Sequence, residues 1–214
     1  MEFMKTVFVN PERCIGCKQC QIACAVEHSE SKTLFQAIAE DRKPRPRVLV
    51  APGISLDTSY PNKCRHCDPA PCMSVCPTGA ISRDLDSDVV FVDPDKCISC
   101  AMCAMVCPFD VITFYPSHEA VLDKAVAIKC DHCLDRQRRG EIPACVEACK
   151  VGALVFGDIN ELVKTARTKL AQVVSVGIGN TVEEIEAASV RPPAHVEAWR
   201  GLGRTITHVG REEA

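Results

Sequence analysis

At 214 residues the chain can form one or two domains, but a large aromatic–aliphatic core is excluded. It is 47% hydrophobic, yet that figure contains sixteen cysteines, and only ten residues are aromatic. Metal is therefore expected to supply much of the cohesion. A formal charge of −3 names no partner, and no basic stripe with interleaved aromatics points to nucleic acid. The opening MEFMKTVFVNPERC lacks the marks of an export signal, and no apolar run approaches the roughly 18 residues of a membrane span. The expected compartment is a reducing cytoplasm, where so many thiols point to metal ligation rather than disulfides.

Taken in order, residues 5–9 (KTVFV) read as a strand and 19–27 as a helix, with Ile22 and Val26 four apart. Residues 29–41 are expected to form a second helix carrying Leu34, Phe35 and Ile38 on one side. The KPRPR of 43–47 ends it, and 48–51 is extended before a Pro52-Gly53 turn. A hairpin is expected from 80–83 and 89–92, then strands at 111–115 and toward the end of 121–129. A closing strand is read at 154–157. Helices follow at 158–174, with an apolar stripe of Leu162, Ala166, Leu170 and Val173/Val174, and at 181–189. Residues 195–214 show no clear periodicity.

Four cysteine motifs lie on this scaffold: Cys14, Cys17, Cys20 and Cys24; Cys64, Cys67, Cys72 and Cys76; Cys97, Cys100, Cys103 and Cys107; Cys130, Cys133, Cys145 and Cys149. In CISCAMCAMVCP (97–108) three close cysteines can curl around one corner of a cubic iron–sulfur cluster. The fourth, on the following helix, points to a neighbouring cluster. A 4Fe–4S cluster takes four thiolates, and sixteen divides into four sets with none left over. The motifs are sisters in pairs. NPERCIGC (10–17) resembles DPDKCISC (93–100), and KCRHC (63–67) resembles KCDHC (129–133), which implies a duplicated two-cluster ferredoxin.

Structural zinc is the rival reading, as a zinc-rich structural or nucleic-acid-binding module. Zinc usually takes two separated ligand pairs, whereas the first and third motifs are triplets with a fourth cysteine at fixed spacing. Crossing the fourth cysteines of the middle motifs gives Cys64, Cys67, Cys72 with Cys107, and Cys97, Cys100, Cys103 with Cys76. The outer motifs then give Cys14, Cys17, Cys20 with Cys149, and Cys130, Cys133, Cys145 with Cys24. Sequential pairing is the alternative, disfavoured by the long 25–63 connection but not excluded by spacing.

His66 and His132 sit inside cysteine steps, where four thiolates per cluster leave them as hydrogen-bond donors rather than ligands. His28, His118, His195 and His208 read as ordinary surface or packing residues. Arg136, Arg138 and Arg139 form a basic loop, solvated by default, with a docking patch as the sharper alternative. No dinucleotide fingerprint, P-loop or nucleophile elbow is present, so the residues imply an electron carrier without catalysis of its own.

From residue 6 to about 157 the four motifs resemble the four-cluster ferredoxin-like subunits of formate dehydrogenases, hydrogenases, molybdenum and tungsten oxidoreductases and carbon monoxide dehydrogenase. That resemblance implies the nested pairing of first with fourth and second with third motif. NPERCIGCKQCQIACAVEHS followed by KPRPRV is most similar to the iron–sulfur protein associated with carbon monoxide dehydrogenase. The implied role is to take electrons from that enzyme to a hydrogenase or a flavin NAD(P)-linked oxidoreductase. Cys24 and Cys149 are followed by Ala25 and Lys150 where the pattern has proline, which leaves ligation intact.

The expected architecture is α+β, with two interleaved ferredoxin-like modules holding four 4Fe–4S clusters. The outer module comprises 1–63 and 108–157, the inner one 64–107. Residues 158–214 form a helical extension that docks a partner, joins copies of the chain, or covers the cluster core.

Overall fold

The strands pair two by two, and no pair extends into a larger sheet among the described residues. The computed structural model describes residues 5–54, 58–121 and 124–177. The first strand, β1 (Lys5–Val9), pairs antiparallel with the last, β8 (Leu154–Asp158), placing Val7 opposite Phe156. Between them lie three local pairs. β2 (Val48–Pro52) runs against β3 (Ser59–Lys63), β4 (Ile81–Arg83) against β5 (Val90–Val92), and β6 (Thr113–Pro116) against β7 (Ala125–Ile128).

The sequence reading had no place for β3. Its SYPNK carries a proline, which a central strand would not tolerate, but in a two-stranded pair both strands are edges. Val111 and Ile112 precede β6 rather than joining it, and both are buried in the core.

The helices are short because loops that position cysteines interrupt them. α1 (Gln19–Glu27) carries Cys20 and Cys24, both buried. α2 covers only Leu34–Ala39, far less than the 29–41 expected. Ser29 uses its hydroxyl as an acceptor for the Lys32 N–H at 2.9 Å, making a turn that competes with helix. The apolar side expected of α2 is also not its buried side: Ala37 is buried, while Leu34, Phe35 and Ile38 are exposed. α3 (Pro71–Ser74), α4 (Met102–Met105) and α6 (Ala144–Glu147) are single turns. α5 (Leu134–Arg138) occupies part of what reads in sequence as a loop.

The core is built from small side chains. Ala70, Ala80, Ile81, Val90, Cys97 and Cys103 pack with Ile112, Ala120, Val126 and Ala127. A second cluster joins Val7, Cys20, Cys24, Val48, Cys145 and Leu154, and a third Cys64, Val111 and Cys130. Cysteines belong to all three, so the interior is organised around sulfur as much as around carbon.

The chain divides into two units, residues 1–159 and 160–214. The second contributes most of α7 (Ile159–Gly177), a 19-residue helix. The helix expected at 181–189, the aperiodic 195–214, His195 and His208 all lie outside the described residues.

Candidate metal centres

Each motif begins with a Cys-x-x-Cys step, and all four steps share one backbone bend. The third residue is left-handed in every case: Gly16 at φ 69°, His66 at 51°, Ser99 at 59° and His132 at 59°. Side chains other than glycine adopt this conformation at a cost, so its repetition marks a loop held for a purpose. Such curls turn successive backbone N–H groups inward and favour anionic groups, iron–sulfur clusters included. The N–H of His66 donates to Cys64 Sγ and that of His132 to Cys130 Sγ, both at 3.4 Å. At Gly16 an added Cβ would meet Ser59 Oγ at 3.3 Å. That hydroxyl donates to Cys14 Sγ and to Cys14 O, each at 3.1 Å.

Two cavities each gather four of the sixteen thiols. One cavity is lined by Cys64, Cys67, Cys72 and Cys107, together with His66, Val90, Val111, Ile112 and Lys129. A second is lined by Cys97, Cys100, Cys103 and Cys76, with Ile81, Ile98, Met102, Phe114 and Ala127. In each, three cysteines of one motif meet the fourth of another.

Electrostatics delineate the other two groups. Burial first, and then the negative charge of Cys149, Cys14 and Cys17, push the Cys20 thiol up to about 11. Burial, followed by Cys130, Cys24 and Cys133, raises Cys145 well above an ordinary thiol. Burial also lifts Cys130 to about 11, with Cys24 adding to the rise and Lys63 opposing it. α1 therefore serves both groups, sending Cys20 to one and Cys24 to the other.

The donor chemistry fits iron–sulfur ligation. All sixteen thiols are free. Crowded thiols with raised pKa values resist deprotonation unless a metal takes them as thiolates. The cavity walls also contain an orphan: His66 accepts the Val90 N–H at Nδ1 (3.1 Å), which leaves Nε2–H as a buried donor with no partner among the described residues.

Comparison with known proteins agrees with the geometry. Residues 57–159 match the model of a 4Fe-4S dicluster domain, and residues 11–27 that of a 4Fe-4S binding domain. The chain is 40% identical over 161 residues to an iron–sulfur protein of Rhodospirillum rubrum, covering 72% of this chain and 82% of that one. The chain belongs to the 4Fe–4S electron-transfer subunit family. Other members similar to it are the electron transport protein HydN of Escherichia coli K12 and the thiosulfate reductase electron transfer subunit PhsB of Salmonella typhi. HydN is 35% identical over 172 residues, which cover 76% of this chain and 93% of HydN. PhsB is 37% identical over 151 residues, covering 70% and 73%.

Around the cysteines of this family member stand charged residues whose placement the sequence did not disclose. His28 is no ordinary surface histidine. Its Nε2 donates to Asp131 at 3.1 Å and its Nδ1 to the Cys24 carbonyl at 2.7 Å. Burial opposes its charge, but Asp131 and Cys24 outweigh it and hold the pKa at about 10. Arg47 donates a second bond to Asp131 (2.7 Å) and one to Glu119, while its backbone N–H donates to Cys24 Sγ at 3.1 Å. Burial works against the Asp131 carboxylate, yet His28 and Arg47 keep its pKa well below the usual range. Arg47 comes from the KPRPR segment, whose sequence shows only a helix stop.

Arg136 is likewise spoken for. It pairs with Glu27 of α1 at 3.1 Å and with Glu147 of α6 at 2.6 Å, bracing the two helices that carry Cys20, Cys24 and Cys145. Arg139 pairs with Glu141 at 2.9 Å. Within the basic loop, Arg136 is held by Glu27 and Glu147 of other elements, whereas Arg138 and Arg139 are exposed and pair locally with Asp135 and Glu141.

His66 and His132 stack with ring centroids 4.0 Å apart, and Lys63 and Lys129 lie beside them, both buried. Burial, reinforced by the lysines, lowers His132 to about 3, and burial with the same lysines lowers His66 further, so both rings are neutral. The signal for this group was present in the repeat KC-x-HC, where lysine precedes the step both times.

Proposed function

We propose that the sixteen cysteines hold four 4Fe–4S clusters in nested sets and that the chain is a non-catalytic relay subunit of an oxidoreductase complex. The carrying observation is the pair of neighbouring cavities in which Cys107 joins Cys64, Cys67 and Cys72, and Cys76 joins Cys97, Cys100 and Cys103. The grouping of Cys149 with the first motif and Cys24 with the fourth supports the outer half of the same reading. Pairing of β1 with β8 supports an outer module built from both ends of the cluster core around an inner one. When bound, the clusters supply one-electron redox capacity. The protein's own part is to hold them at fixed positions, to shield most of their ligands from water, and to surround them with chosen dipoles and charges.

Among the described residues no helix is long and apolar enough to cross a membrane. The expected catalytic partner is carbon monoxide dehydrogenase, with a hydrogenase or flavin NAD(P)-linked oxidoreductase downstream and a cytoplasmic setting. That choice rests on the similarity of residues 10–29 and 43–48 alone. An electron-transfer subunit serving another oxidoreductase is the second reading, favoured by the thiosulfate reductase subunit among its relatives.

Iron and acid-labile sulfide analysis of anaerobically purified protein tests the cluster count. The expected result is about sixteen of each per chain; far fewer in redox-competent material overturns it. Anaerobic pull-down with the tagged chain tests the partner, and recovery of a different oxidoreductase displaces carbon monoxide dehydrogenase.

A further inference from the structure

Lys63 and Lys129 are 1% and 3% exposed. Neither forms an ion pair with a carboxylate among the described residues, although a buried, uncompensated ammonium is strongly unfavourable. The anions within reach are cysteine sulfurs. Lys129 Nζ donates to the carbonyls of Val90 and Cys130, the latter at 3.0 Å, and lies 3.7 Å from Cys64 Sγ. It also lines the cavity of Cys64, Cys67, Cys72 and Cys107. Lys63 Nζ donates to the Cys64 carbonyl at 3.1 Å and to His132 Nε2 at 3.3 Å, inside the fourth motif's step. Burial works against its charge and lowers its pKa, and Cys130 and Cys145 oppose that lowering ahead of Cys64.

The two lysines are therefore exchanged. Each immediately precedes the first cysteine of one motif and reaches into the step of the other, Lys129 to Cys64 Sγ and Lys63 to His132. Resting on the cluster reading above, we propose that Lys129 sets the potential of the cluster held by Cys64, Cys67, Cys72 and Cys107, and that Lys63 does so for the cluster held by Cys130, Cys133, Cys145 and Cys24. Adding one electron to a thiolate-ligated cluster adds one negative charge. A fixed cation a few ångströms from a ligand sulfur, in a medium of low effective dielectric, stabilises that charge and raises the potential. His66, with Nε2–H unpartnered in the wall of the Lys129 cavity, supplies a neutral donor to the same cluster. Among the described residues, none that lines the cavity of Cys76, Cys97, Cys100 and Cys103 is charged.

The test is a potentiometric titration of the full-length holoprotein, followed by paramagnetic resonance. Each signal is first assigned by the change that Cys72→Ser or Cys145→Ser produces in it. In Lys129→Met the ratio of reduced to oxidised cluster at fixed ambient potential should fall about tenfold for the Cys72-sensitive signal alone, equal to about 59 mV for one electron. Lys63→Met should move only the Cys145-sensitive signal, and Lys129→Arg should restore most of the shift. Lys129→Gln carries the same expectation should the methionine variant not retain iron. Full iron content with unmoved potentials in both charge-neutral variants overturns the proposal, as does a shift in the cluster of the lysine's own motif. Low iron in the unmutated protein would instead count against the cluster reading.

Discussion

The first and third motifs and the second and fourth are two pairs of sisters with opposite surroundings. Cys17 and Cys100, the second cysteines of the first and third steps, are exposed beside exposed Ile15 and Ile98. Their third residues are small, Gly16 and Ser99. In the second and fourth motifs the same position holds a histidine, the residue before the first cysteine is a buried lysine, and Cys64, Cys130 and Cys133 are buried. One backbone bend thus serves two ends. Where the step lies at the surface it admits solvent, and where it lies inside it must bring its own polar partners. Duplication supplied the bend, and burial decided what each copy became.

This contrast can be broken first at its buried side. Cys145→Ser removes a thiol buried in a core cluster with Val7, Cys20, Cys24, Val48 and Leu154. Iron analysis should show roughly four irons lost per chain, and thermal unfolding should begin earlier. Cys100→Ser, at the surface, should leave the unfolding midpoint closer to that of the parent. Equal destabilisation by the two would erase the distinction between inside and outside.

A smaller effect is expected at Asp131. Asp131→Asn leaves the buried cations of His28 and Arg47 short of their common anion, with Glu119 still serving Arg47. The expected loss is roughly 3 kcal/mol, the lower end for breaking a buried pair, read as a lower denaturant midpoint of the holoprotein. Arg136→Ala should cost about 1 kcal/mol by the same measurement, since its partners Glu141 and Glu147 are solvent-exposed, such pairs are weak, and the more buried Glu27 keeps Lys32. Smallest of all, Phe35→Ser on α2 should change stability by less than about 0.5 kcal/mol, because Phe35 is 86% exposed. A larger loss would show that something covers this face.

Local features were legible in sequence to different degrees. β1, α1 and the hairpin of β4 and β5 were readable because short-range alternation and turn residues determine them. α2 was overextended because the Ser29 turn is a hydrogen-bonding choice that periodicity does not register. β3 was invisible because its proline is acceptable only in a pair with two edges. The cysteines announced themselves by spacing and number. Their charged company did not, because Arg47 reaches Asp131 across 84 positions and Lys129 reaches Cys64 across 65. Such partnerships belong to the folded chain. The repeated lysine before each histidine-containing step was the one clue available in advance.

The pairing of β1 with β8 has a consequence for how the protein is made. Lys5 meets Asp158, so β1 waits for nearly the whole cluster core to be synthesised before its partner β8 emerges. The hairpin of β4 and β5 closes over a few residues and has no such delay. A nascent chain halted before β8 would therefore leave β1 without its mate.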